Sequence, residues 1–213
     1  TTIATQIYAK ICFEATNSQK KIIENLSEYL SDDDFSRIFV LNGFAGTGKT
    51  TLIAALVAAL KELRIKPVLL APTGRAAKVL ARYCGEQALT IHKRIYRQRT
   101  NADYESKFSL DFNREQGAVF IVDEASMLSD STGDGALFGS GSLLEDLVSY
   151  VRSGRGCRLI LVGDSAQLPP VGCDFSPALD PATVSRYGEV VYGLMDEVVR
   201  QQMQSGILFN ATL

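Results

Sequence analysis

The feature that most constrains the fold of this chain is a glycine-rich stretch of eight residues, Gly43-Phe44-Ala45-Gly46-Thr47-Gly48-Lys49-Thr50. It follows the apolar run 38–41 and precedes residues 52–60, which are rich in helix formers. The order is therefore strand, glycine loop and helix, with the spacing G-x-x-x-x-G-K-[ST]. Backbone without Cβ atoms can curl around a phosphate, and the following helix adds unpaired N–H groups. The stretch predicts a nucleoside triphosphate site, and the alternative is an ordinary turn with a surface lysine.

The residue types in this loop predict how the triphosphate is held. Lys49 would reach the β- and γ-phosphates, and the hydroxyl of Thr50 would ligate magnesium. The expected cofactors are therefore ATP and Mg²⁺. The other predicted nucleotide contacts in the loop and the first turn are Gly43, Ala45, Gly46, Thr47, Gly48 and Thr51.

Length and composition are those of one soluble globular domain, with room for a small insertion. The chain has 213 residues, 46% of them hydrophobic and 22% charged, and no apolar run approaches the length of a membrane span. The first ten residues lack an initiator methionine and the pattern of a secretion signal. We therefore expect a cytoplasmic protein without a membrane partner, of which this sequence is one segment. The spacing of the four cysteines predicts reduced thiols.

Charge is distributed unevenly along the chain. The net charge is only −2, yet residues 74–100 contain seven basic residues and one acid, Glu86. The basic residues are Arg75, Lys78, Arg82, Lys93, Arg94, Arg97 and Arg99. Such a cluster would suit a phosphate backbone. A solvated helix face explains it equally well.

Apolar runs alternate with helical patterns along the chain, which predicts a parallel sheet covered by helices on both faces. The predicted strands are 38–41, 66–71, 89–92, 118–122, 158–162 and 190–192. The predicted helices are 18–30, capped by Asn17 or Ser18, and 52–60, 76–83, 143–152 and 205–213. Polar and aromatic residues between 93 and 117 predict a small hairpin insertion, and residues 129–142 predict a disordered loop with little to pack.

Polar groups follow two further predicted strands. Asp123 and Glu124 end the run 118–122, and Gln167 lies just beyond the run 158–162. Ligands of parallel sheets bind beyond the carboxyl ends of the strands, so these side chains should meet the glycine loop. Asp123 is predicted to face the metal, Glu124 to deprotonate the attacking water, and Gln167 to contact the γ-phosphate or that water. A pair of solvent-edge acids is the alternative for 123–124.

Six segments in this order resemble the motifs of superfamily 1 helicases, most closely the RecD-like branch, which translocates 5′ to 3′. They are residues 43–50, 71–77, 90–92, 122–127, 163–172 and 198–201. The resemblance implies a P-loop NTPase of the RecA-like α/β fold, a parallel sheet sandwiched by helices, spanning 1–213 with the insertion at 93–117. It also implies a second RecA-like domain outside this sequence, which would supply another arginine to the γ-phosphate.

The same resemblance implies roles for individual residues. Gln19 matches the amide that contacts adenine, although a helix-surface amide is the plain alternative. Arg200 matches an arginine that touches the γ-phosphate. Single-stranded DNA would cross this domain at Pro72, Thr73, Arg75 and His92.

The sequence therefore favours an ATP-dependent DNA helicase motor domain, acting as a hydrolase on the β–γ phosphoanhydride. Without the second domain, this segment should bind ATP·Mg but hydrolyse it weakly. A nucleotide-gated switch without unwinding activity is the main alternative, and a small-molecule kinase is a weaker one because no acceptor-binding lid is visible. Salt-sensitive binding of single strands would separate the motor from the switch.

Overall fold

The computed structural model describes residues 2–100, 106–130 and 137–199. The strands in this part of the chain are β1 (Ile38–Gly43), β2 (Pro67–Ala71), β3 (Ala88–Thr90), β4 (Tyr96–Thr100), β5 (Ser106–Leu110), β6 (Val119–Val122), β7 (Arg158–Gly163) and β8 (Val190–Met195). The α-helices are α1 (Ile3–Lys10), α2 (Asn17–Ser31), α3 (Lys49–Glu62), α4 (Gly74–Cys84), α5 (Ile91–Ile95), α6 (Leu143–Ser153) and α7 (Pro181–Val184). The predicted helix 205–213 lies outside the described residues.

Six strands form one sheet in the order β3-β2-β6-β7-β1-β8. Every neighbouring pair is parallel, which confirms the predicted α/β fold. Strand β1 lies between β7 and β8, so that Ile38 is opposite Leu159 on one side and Val190 on the other. The carboxyl ends of β1, β6 and β7 are adjacent, and each is followed by one of the predicted motifs.

The sheet separates two apolar cores, which explains why its strands are continuous apolar runs. Along β1, Phe39 and Leu41 pack into the core shared with α1 to α4, whereas Ile38 and Val40 pack into the core shared with α5 to α7. Successive strand side chains point to opposite faces, so a strand covered on both sides has to be apolar throughout. None of the described helices combines the length and apolarity that crossing a bilayer requires.

Helix α2 begins with a capping box, and the predicted cap at Asn17 or Ser18 is wrong. The cap is Thr16, whose hydroxyl accepts from the N–H of Gln19, while the Gln19 side chain accepts from the N–H of Thr16. Two backbone donors that the helix cannot satisfy are thereby paired. Gln19 is consequently fixed by its own helix terminus before any ligand binds.

The segment 89–92 is only partly a strand. Strand β3 ends at Thr90, whose hydroxyl accepts from the N–H of Lys93 and so starts helix α5, which contains His92. A short apolar run fits either structure by its pattern alone, and the threonine cap decides for the helix at this point.

Strands β4 and β5 form the predicted hairpin, an antiparallel pair in which Tyr96 is opposite Leu110. Its base is fixed to the domain: the Tyr96 hydroxyl donates to Asp146 at 2.6 Å, and the ring of Phe108 stacks on that of Phe138 at 4.5 Å. The prediction that residues 129–142 have little to pack is wrong at Phe138, which also contacts the ring of His92. Residues 131–136 of that stretch lie outside the described residues.

Candidate functional site

The glycine loop joins β1 to α3 in a conformation that requires glycine. Gly46 and Gly48 have φ angles of 77° and 87°, in the left-handed region that other residues rarely adopt. A Cβ atom on Gly48 would lie 2.7 Å from Nε2 of Gln19, and one on Gly43 would lie 2.9 Å from Cγ of Lys49. Larger residues at these positions would therefore push apart the loop and the groups that support it.

The loop presents a cluster of free N–H groups. Within the part of the chain that the structure describes, the backbone amides of the loop and the first turn of α3 without a protein acceptor are those of Ala45, Gly46, Gly48, Lys49, Thr50 and Thr51. Unpaired amides at the start of a helix form a binding site for an anion, to which the positive end of the helix dipole contributes. The donor set of the loop fits a phosphate group.

Lys49 lies across the mouth of this loop. Its ammonium donates to the carbonyl oxygen of Gly43 and, at 3.0 Å, to that of Phe44. These carbonyls hold the ammonium group beside the free amides. A phosphate oxygen bound to these amides could replace the two carbonyl oxygens as the acceptor, and the Lys49 side chain would have to move only a little.

Gln19 supports the loop from beneath and is 1% exposed. Its Nε2 donates to the carbonyl oxygen of Thr47 at 3.0 Å. One N–H of the amide remains unused after that bond, as does one lone pair of its oxygen. These hydrogen bonds give the Gln19 side chain a structural role. Its contact with adenine remains a prediction.

A cleft of about 780 Å³ opens over the loop and contains residues that sequence reasoning missed. The ring of Phe13 is 38% exposed in it, beside the thiol of Cys12. On the other side, Val199 donates from its N–H to the carbonyl oxygen of Gly46 at 3.0 Å. The only sequence signal was an isolated aromatic residue shortly before the capping box.

The two acids after β6 are held in different ways. One oxygen of the Asp123 carboxylate accepts from the N–H of Glu124 at 2.9 Å, and the other accepts from the hydroxyl of Tyr83 at 2.5 Å. Glu124 itself has a φ angle of 54°, which is rare for a residue with a side chain and is found preferentially at functional sites.

Glu124 has the electrostatic surroundings of a general base. Burial raises the pKa of its carboxyl above the ordinary value, with further increases from Asp123 and Asp164. The ammonium of Lys49 and a hydrogen bond from Gln167 act in the opposite direction on this pKa. The predicted base, the predicted phosphate lysine and the predicted sensor therefore lie within electrostatic reach of one another.

Gln167 is carried by a tight turn after β7. Its N–H donates to the carbonyl oxygen of Asp164 at 3.1 Å, and the Asp164 carboxylate accepts from the N–H of Ala166 at 2.9 Å. The turn orients Gln167 toward Ser126, whose hydroxyl lies 3.5 Å from its side-chain oxygen. Asp164 thus shapes the turn, a role that the sequence signalled only as an aspartate after a strand.

Magnesium would be held by few protein ligands. No cluster of three or more histidine, cysteine or acidic side chains suited to a metal occurs among the described residues. That fits a metal that keeps several waters and binds substrate phosphates together with one or two protein oxygens. Thr50, exposed in the first turn of α3, and Asp123 are the groups that could supply those oxygens.

The four residues predicted to contact DNA follow two adjacent strands, because Ala71 of β2 is opposite Thr90 of β3. Thr73 caps α4 by accepting from the N–H of Ala76, and Arg75 is exposed one residue into that helix. Pro72 is partly buried at the strand end. Their position on one edge is the arrangement predicted from the motifs.

The fourth residue of this set, His92, is packed more than the motif suggested. Its ring lies 5.5 Å from that of Tyr96 and 5.0 Å from that of Phe138. Burial lowers the pKa of His92 below its ordinary value. Arg200, the predicted γ-phosphate contact, lies outside the described residues.

A second cavity, of about 760 Å³, lies at the opposite end of the sheet. The guanidinium of Arg158 beside it donates to the carbonyl oxygens of Asp32 and Asp34 and lies over the ring of Phe35. These contacts satisfy the arginine within the protein. Arg158 is therefore not available to a ligand in this cavity in the way that the amides of the glycine loop are.

Comparison with known proteins agrees with this geometry. A family model described as an AAA domain matches residues 14–207. The chain belongs to this AAA domain family. The match covers most of the sheet, the glycine loop and both acidic strand ends, and the similar proteins confirm the RecD-like superfamily 1 motor domain indicated by the motifs.

Two curated relatives of this AAA domain are a RecD2 DNA helicase and a RecD subunit. The chain is 30% identical over 154 residues to the ATP-dependent RecD2 DNA helicase of Deinococcus radiodurans, a match covering 72% of the chain and 19% of that protein. It is 33% identical over 201 residues to the RecBCD enzyme subunit RecD of Mycobacterium tuberculosis, a match covering 76% of the chain and 32% of that protein. The chain thus spans about a fifth to a third of these relatives.

The fold of the AAA domain also has a solved counterpart. The Pif1 helicase from Bacteroides, in complex with ADP-AlF3 and ssDNA, superposes with a TM-score of 0.56 at 19% identity. The superposition covers 90% of this chain and 44% of that one. At this identity the likeness establishes the fold, and the sheet order and the helices on both faces agree with it.

Proposed function

We propose that this chain is the ATP-binding motor domain of a DNA helicase that moves along single-stranded DNA. The observation that carries the proposal is the meeting of Lys49, Glu124 and Gln167 at one sheet edge, beside a loop with free amides. An ordinary glycine turn with a surface lysine needs neither a base nor an amide at this position. The relatives named as ATP-dependent DNA helicases support the same function.

In the proposed site each side chain has a distinct task. The ammonium of Lys49 exchanges the carbonyls of Gly43 and Phe44 for phosphate oxygens. Thr50 and Asp123 would hold Mg²⁺, which would neutralise charge on the β- and γ-phosphates.

Two further side chains, those of Glu124 and Gln167, act in hydrolysis. The carboxylate of Glu124 accepts a proton from the attacking water, for which its raised pKa is suited. The amide of Gln167, which lies close enough to Glu124 to affect the pKa of its carboxyl, orients that water or contacts the γ-phosphate.

Nucleic acid would bind along one face of α4 and at the end of β3. Arg75, Lys78 and Arg82 are exposed at positions i, i+3 and i+7, which places them on one face of the helix. None of the three has an acidic partner among the residues that the structure describes. Three unpaired cations in a row on a chain of net charge −2 suit a phosphate backbone.

We further infer that full activity needs a second RecA-like domain of the same full-length protein. Both curated relatives extend well beyond the matched region. An arginine reaching the γ-phosphate from another domain can contribute about 10³–10⁵ to the rate of such enzymes. Residues 1–213 alone should therefore bind ATP·Mg, hydrolyse it slowly and fail to unwind a duplex.

Two measurements on the chain test the proposal. A fluorescent ATP analogue should bind in the presence of Mg²⁺, and Lys49→Ala should weaken that binding at least about tenfold, since it removes a charged phosphate contact. A labelled single-stranded oligonucleotide should bind with an affinity that falls as salt rises, and replacing Arg75, Lys78 and Arg82 by alanine should reduce the slope by about one per lost contact.

The matched control for the arginine and lysine substitutions is Arg64→Ala, which removes an exposed cation outside α4. Nucleotide binding without any salt-sensitive DNA binding would favour the nucleotide-gated switch. Full nucleotide affinity in Lys49→Ala, or robust DNA-stimulated ATP turnover by residues 1–213, would contradict the site and the predicted need for a second domain, respectively.

A further inference from the structure

One side chain of helix α4 contacts Asp123, the carboxylate that is predicted to bind the metal. Tyr83, in the last turn of the helix, donates from its hydroxyl to Oδ2 of Asp123 at 2.5 Å. Its ring is partly buried against the core shared by α1 to α4. The helix that begins with the proposed DNA contacts Thr73 and Arg75 therefore ends on the proposed magnesium site.

This hydrogen bond fixes the orientation of Asp123. The carboxylate accepts from Tyr83 on Oδ2 and from the N–H of Glu124 on Oδ1, so each oxygen has one donor and retains capacity for a metal or its waters. Loss of the phenol hydroxyl would leave the carboxylate with one of these two hydrogen bonds, that from the N–H of Glu124.

Helix α4 can transmit displacement between its ends because it is short and regular. It runs without interruption from its cap at Thr73 to Gly85, which has a left-handed φ angle of 64°. Nucleic acid bound at Arg75, Lys78 and Arg82 would pull on the same rigid element that carries Tyr83. Coupling of this kind acts equally in both directions between the two ligands.

We propose that Tyr83 is a positioning residue that holds Asp123 in its magnesium-binding orientation and couples DNA bound on α4 to the nucleotide site. The inference rests on the proposed function. It adds a residue outside the six motifs and a direction for the coupling: bound DNA strengthens magnesium-dependent nucleotide binding. Partners that orient a metal ligand commonly change metal affinity by about 10- to 100-fold when removed.

The experiment is a magnesium titration of nucleotide binding in Tyr83→Phe. A fluorescent, slowly hydrolysed ATP analogue is bound to the chain over a range of Mg²⁺ concentrations, with and without an oligothymidylate. In the unsubstituted chain, the oligonucleotide should lower the Mg²⁺ concentration for half-maximal binding. In Tyr83→Phe that concentration should rise about tenfold, and the effect of the oligonucleotide should disappear, because the ring remains but the hydroxyl is gone.

Tyr8→Phe is the matched control, since the Tyr8 hydroxyl also donates to a carboxylate, Glu24, but on the surface between α1 and α2. It should match the unsubstituted chain in both measurements. Asp123→Asn completes a double-mutant cycle: if Tyr83 acts through Asp123, the double variant should have the magnesium requirement of Asp123→Asn alone.

The outcomes separate this inference from the proposed function. An unchanged magnesium requirement in Tyr83→Phe, or additive effects in the cycle, overturns the role of Tyr83 and leaves nucleotide binding standing. Absence of magnesium-dependent nucleotide binding in the unsubstituted chain overturns the proposed function and this inference together. An oligonucleotide effect that persists in Tyr83→Phe rejects the coupling, whatever happens to the magnesium requirement.

Discussion

The Gln19 side chain donates from Nε2 to the carbonyl oxygen of Thr47 at 3.0 Å, so helix α2 supports the phosphate-binding loop directly. The same amide accepts from the N–H of Thr16 at 2.9 Å and closes the start of that helix. One buried side chain therefore stabilises two elements that are separate in the sequence. Its loss would affect the fold as well as the site.

Gln19→Ala should reduce the free energy of unfolding by about 1–3 kcal/mol, because the carbonyl of Thr47 and the N–H of Thr16 would lose their partner in a buried position. Urea denaturation measures this change. Gln87→Ala, which truncates an exposed amide in the turn before β3, is the control and should change stability little. Equal stability of the two variants would contradict the support that Gln19 is proposed to give.

Glu124→Gln should leave nucleotide affinity nearly unchanged and reduce hydrolysis by about 10²-fold or more, since a glutamine cannot take a proton from water. Single-turnover phosphate release in the presence of an oligonucleotide is the measurement, with binding of the ATP analogue followed in parallel. Glu145→Gln, an exposed acid in the first turn of α6, is the control. Hydrolysis by Glu124→Gln at the unsubstituted rate would remove Glu124 from the role of base.

Cys12 provides a chemical probe of the cleft, because its free thiol is exposed and lines the cavity over the loop. Bound nucleotide should slow its alkylation by about tenfold at a nucleotide concentration roughly ten times the Kd. Mass spectrometry follows the reaction, and Cys173, outside the cleft lining, is the internal control. Lys49→Ala should reduce the protection to about twofold or less at the same nucleotide concentration. Equal protection of both thiols would indicate a general change rather than occupation of the cleft.

His92 should make stability depend on pH. Its pKa is lowered by burial, so the unfolded chain binds the proton more tightly than the folded chain does. As pH falls below the ordinary value of about 6.5, the chain should therefore lose stability relative to His92→Gln. The comparison is the difference in unfolding free energy between the two proteins at about pH 7 and about pH 5.

The carboxyl groups titrate in both proteins of this comparison, which makes His92→Gln its own control for them. His92 is the single histidine of the chain, so the difference isolates one ring. A constant difference across this pH range would mean that the ring is not desolvated by Tyr96 and Phe138.

The sequence predicts those parts of the molecule that follow from local pattern. Continuous apolar runs indicate a sheet covered on both faces, and the strand ends at Gly43, Asp123 and Asp164 are therefore expected on one edge. Side-chain contacts between distant elements are not predictable in this way. Two examples are the hydrogen bond of Tyr83 to Asp123 and the stacking of Phe138 on the hairpin. Both depend on where whole helices and loops pack, which the local spacing of residues does not encode.

The differences between prediction and structure are also physical in origin. The predicted strand 89–92 extends into α5 because a short apolar run has no clear period, and only the cap at Thr90 distinguishes the helix. The helix-surface alternative for Gln19 is wrong, because the side chain is buried and takes part in the capping box of α2, and its contact with adenine stays a prediction.

Strand β1, which delivers the phosphate-binding loop, has neighbours that come from the far end of the sequence, at Arg158 and Val190. During synthesis on the ribosome, the loop would leave the exit tunnel long before either neighbour exists. Its backbone cannot be held in place until those strands arrive, and such distant pairings are slow to form. The chain should therefore acquire affinity for nucleotide late in translation, as almost the last property of the nascent domain.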